Sequence, residues 1–427
     1  MENIPVEVVG NRLLSLDSAR DAVVASATCR KWREPWKNHL LSLAFSSNDW
    51  PKFRNLTSSE LEVIITRTLF QTTGLCGLSL IMEDDKVLSP APVIAWLMYT
   101  RPTLWELNYS VKTKPKINVL EFCGREKLEV LFLGHDVITG VGPTCLGRFL
   151  SLRELTLHCA SISVLDLSLF LALAPILEFL NLICVDVVMS DPHATLELRN
   201  GSLRELYVEE LLNLEKVVVE AENLETLHWK HCELDYFELV SKGGLRALTI
   251  GGLSTLHLDI GESAENLESV DLINFTFMRS KFLHTIMKSK RLKRLRLRGV
   301  VLDEYNNDIE ALDLGTIASC FSRMGELSLS YELKEPSVNH ELARSFAITP
   351  ESIMELGWTI IIDSFSEWAG WVLMRGARLK KMVIRGVVSE TKSHGECEKT
   401  LANFTPFIAR LVRMRKSVYI EVRVEYE

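Results

Sequence analysis

The chain has 427 residues, of which 47% are hydrophobic and 24% are charged, and its formal net charge is -8 at pH 7. This composition describes a well-packed folded protein and excludes a largely disordered one, while the length exceeds that of one ordinary compact core. The acidic balance is spread along the chain, so neither a nucleic acid nor an anionic membrane is expected as a partner.

The first forty residues show helical rather than strand periodicity. Ile4 and Pro5 open a first helix, because Pro fits the initial turn, and Ser18 with Asp21 resembles a capping box for a second helix over 19–27. A third helix begins near Cys29. These residues also lack the basic and long apolar segments of a secretory signal. The pattern therefore predicts a separate three-helix head.

The head resembles an F-box, whose pattern starts with Ile/Leu-Pro and ends with Cys-x-x-Trp-Arg, here Cys29, Trp32 and Arg33. The resemblance, which is to plant F-box/leucine-rich-repeat proteins, implies that the helices bind a Skp-type adaptor and, through it, a cullin. One departure is Arg12, where the family usually has an aliphatic residue. The residues that the resemblance implies for adaptor binding are Ile4, Pro5, Val8, Val9, Leu13, Leu16, Val24 and Trp32.

A polar segment with Pro51 and a predicted helix over 59–70 separate the head from a repeated pattern, L-x-x-L-x-L. Neighbouring copies from Leu104 to Leu292 are 21 to 26 residues apart, within the 20 to 29 of leucine-rich repeats. The second and third motif positions are two apart and share one face of a short strand, so stacked units bury them together. Thirteen copies begin at Leu75, Leu104, Leu128, Leu152, Leu177, Leu203, Leu224, Leu245, Leu267, Leu292, Met324, Ile353 and Leu379.

The segments between strands fit helices, for example 166–174, which Pro175 ends, and 282–288. The repeats resemble the irregular leucine-rich repeats of F-box proteins, which implies an α/β horseshoe with parallel strands on its concave face. The usual Asn ladder is missing. Cys159 and Cys184 come one residue before the ladder position, and a structural role for them is favoured over a redox role.

No motif of a catalytic or cofactor site is present, which predicts a protein that is not an enzyme. His228 and His231 would point to opposite faces of a strand, so no metal site is predicted. Arg294, Arg296 and Arg298 would share one strand face and could bind an acidic or phosphorylated substrate. Since Asp271 and Glu326 would lie beside two of them, a solvated, charge-paired face is the favoured alternative.

The chain ends with a predicted helix over 401–414 and an alternating strand over 417–427, which would cap the repeats. The predicted domains are thus an F-box (1–45), a linker with a lead-in helix (46–74), about thirteen repeats (75–400) and the cap (401–427). Nine scattered cysteines without a CxxC pair favour reduced thiols in the cytoplasm, the nucleus or both.

The sequence predicts the substrate-recognition subunit of an SCF-type (Skp-cullin-F-box) ubiquitin ligase, in which the repeats bind an unidentified target protein. Two alternatives remain open. Arg12 motivates a repeat scaffold that engages no ligase, and the repeat face or the later, longer units motivate a receptor for a small ligand or phosphate. No cofactor is predicted under any of the three.

Overall fold

The computed structural model describes the chain in segments, and the statements below concern these alone: 42–46, 56–82, 86–123, 126–135, 137–141, 149–188, 195–212, 214–241, 243–252, 254–273, 276–277, 289–298, 301–302, 326–333, 373–374, 381–388, 405–406, 408–414, 416–417 and 419–426. Its internal contacts divide the chain into two compact units. Unit 1 comprises 1–192, 197–203 and 210–213, and unit 2 comprises 193–196, 204–209 and 214–427. Within these segments, none of the helices is long and apolar enough to span a bilayer.

The predicted repeat strands are present, and each begins two residues after the first residue of its motif. Leu128, for instance, precedes a strand that starts at Val130. The copy at Ile353 lies outside the described residues. The confirmed strands are β2 (Gly77–Ile81), β4 (Glu106–Ser110), β6 (Val130–Gly134), β8 (Glu154–His158), β10 (Phe179–Ile183), β13 (Glu205–Glu209), β15 (Thr226–Lys230), β17 (Ala247–Gly251), β19 (Ser269–Ile273), β21 (Arg294–Arg298), β23 (Glu326–Leu333) and β24 (Lys381–Val388).

In unit 1 these strands, preceded by β1 (Ser42–Ser46), form a parallel run in the order β1-β2-β4-β6-β8-β10. The pairing is in register, so that the second and fourth residues of neighbouring strands meet, as Leu155 and Leu157 meet Leu180 and Leu182. All four of these side chains are fully buried. Each such leucine contributes about 1.5 to 3 kcal/mol through burial, which explains why the motif demands apolar residues two apart.

The first strand of this run, β1 (Ser42–Ser46), was not predicted. It pairs in parallel with β2 and buries Leu43 and Phe45. With Leu40 these residues complete one more copy of the motif, so the parallel sheet begins inside the predicted F-box range (1–45) and ahead of the predicted repeat start at residue 75. The rest of the head lies outside the described residues.

Helices return the chain between the strands of unit 1, as predicted for 59–70 and 166–174. Thr57 and Glu60 form a reciprocal capping box at the start of the first helix, and Leu61, Ile65 and Leu69 form its buried stripe. Short strands accompany these helices. The helices are α1 (Ser58–Leu69), α2 (Pro90–Thr100), α3 (Val119–Phe122) and α4 (Val164–Leu173), and the short strands are β3 (Val87–Leu88), β5 (Lys112–Thr113), β7 (Val137–Ile138), β9 (Ser161–Ser163) and β11 (Asp186–Val188).

Between β13 and Leu302 of unit 2 the described return segments are strands and one 3₁₀ helix (Gly261–Asn266), which corrects the expectation of helices in that part, whereas residues 373–374 and 408–414 further along are helical. The motif copies at Leu203, Leu224 and Leu245 are 21 residues apart, which leaves little chain for a helix, and the return segments alternate apolar and polar residues. The strands are β14 (Lys216–Glu220), β16 (Glu233–Val240), β18 (Ser254–Asp259), β20 (Thr276–Phe277) and β22 (Val301–Leu302), which pair in parallel in that order. The strand β12 (Thr195–Arg199) has residues in both units. The predicted helix 282–288 lies outside the described residues.

The turns after six repeat strands, from β6 to β17, use a residue in the left-handed region, seven residues after the first motif leucine. In unit 1 the amide of Cys159 donates to the carbonyl of Ile183 (2.8 Å), and in unit 2 the amide of His231 donates to that of Gly251 (2.7 Å). These backbone bonds join neighbouring turns where the regular family uses an Asn ladder. The residues are His135, Cys159, Cys184, Glu210, His231 and Gly252, with φ between 49° and 58°.

The described C-terminal part of unit 2 follows the prediction. Residues 408–414 are helical, within the predicted 401–414 helix. The strand β25 (Tyr419–Tyr426) pairs in parallel with β24 and ends the strand order of the sheet. The predicted alternating strand over 417–427 is therefore confirmed as an edge strand.

Candidate functional site

Each repeat strand has one buried face and one open face, because successive side chains point to opposite sides. In β13, Leu206 and Val208 are fully buried, while Glu205, Tyr207 and Glu209 are partly exposed. The open face of unit 2 is defined here as the first, third and fifth residues of β13, β15, β17, β19 and β21. A partner that approaches the sheet meets these side chains first.

The middle row of the open face consists of the third residues of the five strands, which the register aligns side by side. It changes from aromatic at one end to charged at the other. The rings of Tyr207 and His228 lie 5.8 Å apart, and Nη1 of Arg296 lies 4.0 Å from Oδ2 of Asp271. The full row is Tyr207, His228, Thr249, Asp271 and Arg296.

At the aromatic end, Tyr207 is held by two charged neighbours. Its hydroxyl donates to Oε2 of Glu209 (2.5 Å), and Nζ of Lys230 lies 3.4 Å from the hydroxyl oxygen and 5.0 Å from the ring centre. Burial, together with the hydrogen bond and charge of Glu209, raises the pKa of Tyr207 to about 12. Tyr207 therefore stays protonated and serves as a rigid ring with a polar tip, which suits contact with a partner rather than nucleophilic chemistry.

His228 stays neutral near pH 7, because burial in the row lowers its pKa. The charge of Glu205 opposes this shift, Lys230 adds to it, and Asp271 opposes it. The other histidine of this strand region, His231, lies in the left-handed turn after β15 and is exposed. His228 thus lies in the strand and His231 in the turn after it, which corrects the expectation that both lie on a strand.

The three arginines of β21 lie on alternate residues, as predicted, with Leu295 buried between the first two. The backbone register places Asp271 beside Arg296 and Glu326 beside Arg294, which confirms both predicted acidic neighbours. The register neighbours of Arg298 are Ile273 and Ser330. The side chains of Arg298 and Glu326 lie outside the described residues.

The ion pair between Arg296 and Asp271 lies in a partly exposed setting, with 34% and 16% of the two side chains accessible. A pair of this length and exposure contributes about 0 to 1 kcal/mol. An incoming carboxylate or phosphate would have to compete with Asp271 for Arg296.

A second group of chemically active side chains lies at the end of the strands in unit 1, and the sequence analysis did not connect its members. Ligand atoms of His135, His158 and Cys159 all lie within 4.8 Å of one another. The neighbouring Cys184 thiol donates to Oε2 of Glu210 (3.1 Å), and this bond with its charge raises the pKa of Cys184 to about 12. The recurring seven-residue offset from each motif leucine was the available signal.

The residues predicted to bind an adaptor lie outside the described residues, so their prediction stands on the sequence alone. They are Ile4, Pro5, Val8, Val9, Leu13, Leu16, Val24 and Trp32.

Comparisons with known proteins extend over both the head and the repeats. A family described as FBD-associated F-box protein At5g56370, LRR repeats, matches residues 103–242, the part of the chain that holds the strands from β4 to β16. The chain is also 48% identical to the F-box/LRR-repeat protein At1g67190 of Arabidopsis thaliana, over 427 residues that cover 100% of both proteins.

Proposed function

Because the chain belongs to the F-box/LRR-repeat protein family, we propose that it is the substrate-recognition subunit of an SCF-type ubiquitin ligase. In this proposal the head binds a Skp-type adaptor and, through it, a cullin, while the repeats bind the protein to be ubiquitinated. The chain itself contributes no catalytic group. The observation that carries the proposal is the full-length identity to an F-box/LRR-repeat protein, joined to the Cys29-x-x-Trp32-Arg33 ending of the head.

The adaptor contact is assigned to the apolar residues of the head. A head as short as the predicted three-helix segment would carry more apolar surface than it could bury by itself, which would leave some of it for a partner. In this proposal Pro5 would fix the start of the first predicted helix, and Trp32 would supply a large aromatic anchor of the kind that dominates binding energy at interfaces.

The target contact is assigned to the open face of unit 2. Its middle row offers a protonated tyrosine, a neutral histidine and an arginine that pairs with Asp271. Arg294, Arg296 and Arg298 would bind an acidic or phosphorylated segment of the target through charge-assisted hydrogen bonds. We also propose that this ligase acts in the cytoplasm, the nucleus or both, since reduced cysteines are expected of the chain.

The test is co-purification with a Skp-type adaptor. The intact chain is expected to form a complex at micromolar protein, and the double substitution Pro5→Ala with Trp32→Ala is expected to abolish it. A matched control makes the same two chemical changes outside the head, at Pro90 in the first turn of α2 and at Trp105, whose side chain is 44% exposed. This control should retain the adaptor.

Two results would contradict the proposal. The first is failure of the intact chain to bind any Skp-type adaptor, which would favour the alternative of a repeat scaffold outside a ligase, for which Arg12 is the motive. The second is equal loss of binding in the head variant and the control, since a general loss of stability would then explain both. Circular dichroism melting of all three proteins separates these cases.

A further inference from the structure

The group formed by His135, His158 and Cys159 arises from the repeat register of unit 1. Gly134 and His158 are register partners on the last positions of β6 and β8, and His135 and Cys159 are the left-handed residues that follow them. The amide of His135 donates to the carbonyl of His158 (2.9 Å), which fixes the two turns side by side. Residues 23 and 24 apart in sequence thus share one corner of the sheet.

The side chains of this group present two nitrogens and one sulfur to a common point. Sγ of Cys159 lies 3.9 Å from Nε2 of His158, the two imidazole rings are 5.6 Å apart, and all three ligand atoms lie within 4.8 Å of one another. Zinc bonds of about 2.0–2.1 Å to nitrogen and 2.3 Å to sulfur require ligand atoms roughly 3.4 to 3.6 Å apart in a tetrahedron. Small side-chain rotations close that difference.

The surroundings hold His158 in place while the group stays reachable. The ring of Phe132 stacks on His158 with centroids 6.0 Å apart. A Cβ on Gly134 would lie 3.1 Å from the Phe132 ring and 2.9 Å from Oγ of Ser110. Because glycine has no side chain, the Phe132 ring fits beside it. His135 is exposed, and His158 and Cys159 are partly exposed, so an ion can enter from solvent.

We propose that His135, His158 and Cys159 form a zinc-binding site with a fourth coordination position open to solvent. Two imidazoles and one thiolate suit Zn²⁺, whereas Mg²⁺ and Ca²⁺ prefer oxygen ligands. Binding converts the Cys159 thiol to the thiolate and releases its proton to solvent. The ion links the turns after β6 and β8 and so stabilises two neighbouring repeats of unit 1.

The experiment is a Co²⁺ titration of the full, metal-stripped chain under reducing conditions, because Co²⁺ reports its ligands by absorption. We expect one equivalent to bind with a thiolate-to-cobalt charge-transfer band and the visible bands of a tetrahedral site, and Zn²⁺ to displace it. His158→Ala and Cys159→Ser should each weaken binding at least tenfold. Zn²⁺ should raise the melting temperature of the intact chain and leave that of these two variants unchanged.

Two control variants make matched changes at equivalent turn positions. His231→Ala removes a left-handed histidine of unit 2, and Cys184→Ser removes the left-handed cysteine of the next repeat, whose thiol donates to Glu210. Both should bind Co²⁺ like the intact chain. No saturable binding, binding that persists in Cys159→Ser, or equal loss in Cys184→Ser would each overturn the three-ligand assignment.

Discussion

At the scale of single residues, the most regular feature is the left-handed position that follows six repeat strands, from β6 to β17. A left-handed backbone costs an ordinary L-residue about 1 to 2 kcal/mol, yet His135, Cys159, Cys184, Glu210 and His231 all adopt it. At His135, Cys159 and His231, turn-to-turn hydrogen bonds offset that cost. The buried residue that follows, such as Val185 or Cys232, anchors the turn in the core. These repeats therefore replace a side-chain Asn ladder by backbone bonding.

The cost of the left-handed position can be measured at His231. We expect His231→Val to lower the free energy of unfolding by about 1 to 2 kcal/mol relative to His231→Gly, because a β-branched residue resists this conformation and glycine accepts it. Both substitutions remove the imidazole, which packs beside Gly252, so the comparison isolates the backbone. Thermal melting followed by circular dichroism measures the difference, and equal melting temperatures would contradict the explanation.

Some contacts of the candidate site residues could be predicted from the sequence, and others could not. The neighbours of Arg294 and Arg296 followed from counting equal offsets along adjacent motif copies, because a regular parallel register preserves those offsets. The same count would have placed His135 beside Cys159. Sequence motifs for metal sites do not reveal this pair, because such motifs are local in sequence, whereas these ligands meet only after the repeats stack.

At the scale of elements, the repeat strands were predictable and the return segments were only partly so. Two leucines two residues apart define a strand wherever they occur, and the strands begin at a constant offset from Leu104 through Leu292. Whether a return segment forms a helix or a strand depends on how many residues lie between two repeat strands. The helix α4 fits in a 25-residue interval, whereas the shorter intervals of unit 2 give strands such as β14, with Val217 and Val219 buried.

A second feature at this scale is a ladder of alternating charges at the residue after each motif leucine from Leu128 to Leu292. In unit 2, Arg204 pairs with Glu225 at 2.8 Å, and Glu268 pairs with Lys293. Arg204 lowers the pKa of Glu225, and Lys293 lowers that of Glu268. If one unit were displaced by a whole repeat, like charges would lie side by side. The ladder therefore favours the native pairing of the units. Its members in unit 2 are Arg204, Glu225, Arg246, Glu268 and Lys293.

Reversal of one ladder charge should destabilise the array in a salt-dependent way. Glu225→Lys would place a positive charge beside both Arg204 and Arg246, which already interact with Glu225, and we expect a loss on the order of 1 kcal/mol at low salt. The loss should shrink in 1 M salt, where the Debye length is about 3 Å. Glu262→Lys makes the same change at an exposed residue of the 3₁₀ helix and serves as control; equal melting temperatures for the two variants would refute the ladder.

At the scale of the whole molecule, the proposed function requires two binding activities on one chain. The head would hold the ligase and the open face of unit 2 would hold the target, and neither set of residues overlaps the other in sequence. A covalent tether raises the effective concentration of a captured target near the ligase, so ubiquitination depends on both contacts at once. Each contact should nevertheless be separable by substitution.

The separation can be tested with two variants in a reconstituted ubiquitination assay, once a target has been found by proximity labelling under proteasome inhibition. Pro5→Ala with Trp32→Ala is expected to capture the target undiminished while ubiquitination is lost, because the adaptor no longer binds. Replacement of Arg294, Arg296 and Arg298 by Glu is expected to do the reverse: the adaptor binds normally and target capture is lost, since three positive charges become negative. Undiminished capture by the triple variant would remove the arginines from the target site and leave the ligase assignment intact, whereas ubiquitination by the head variant would refute the role of the head.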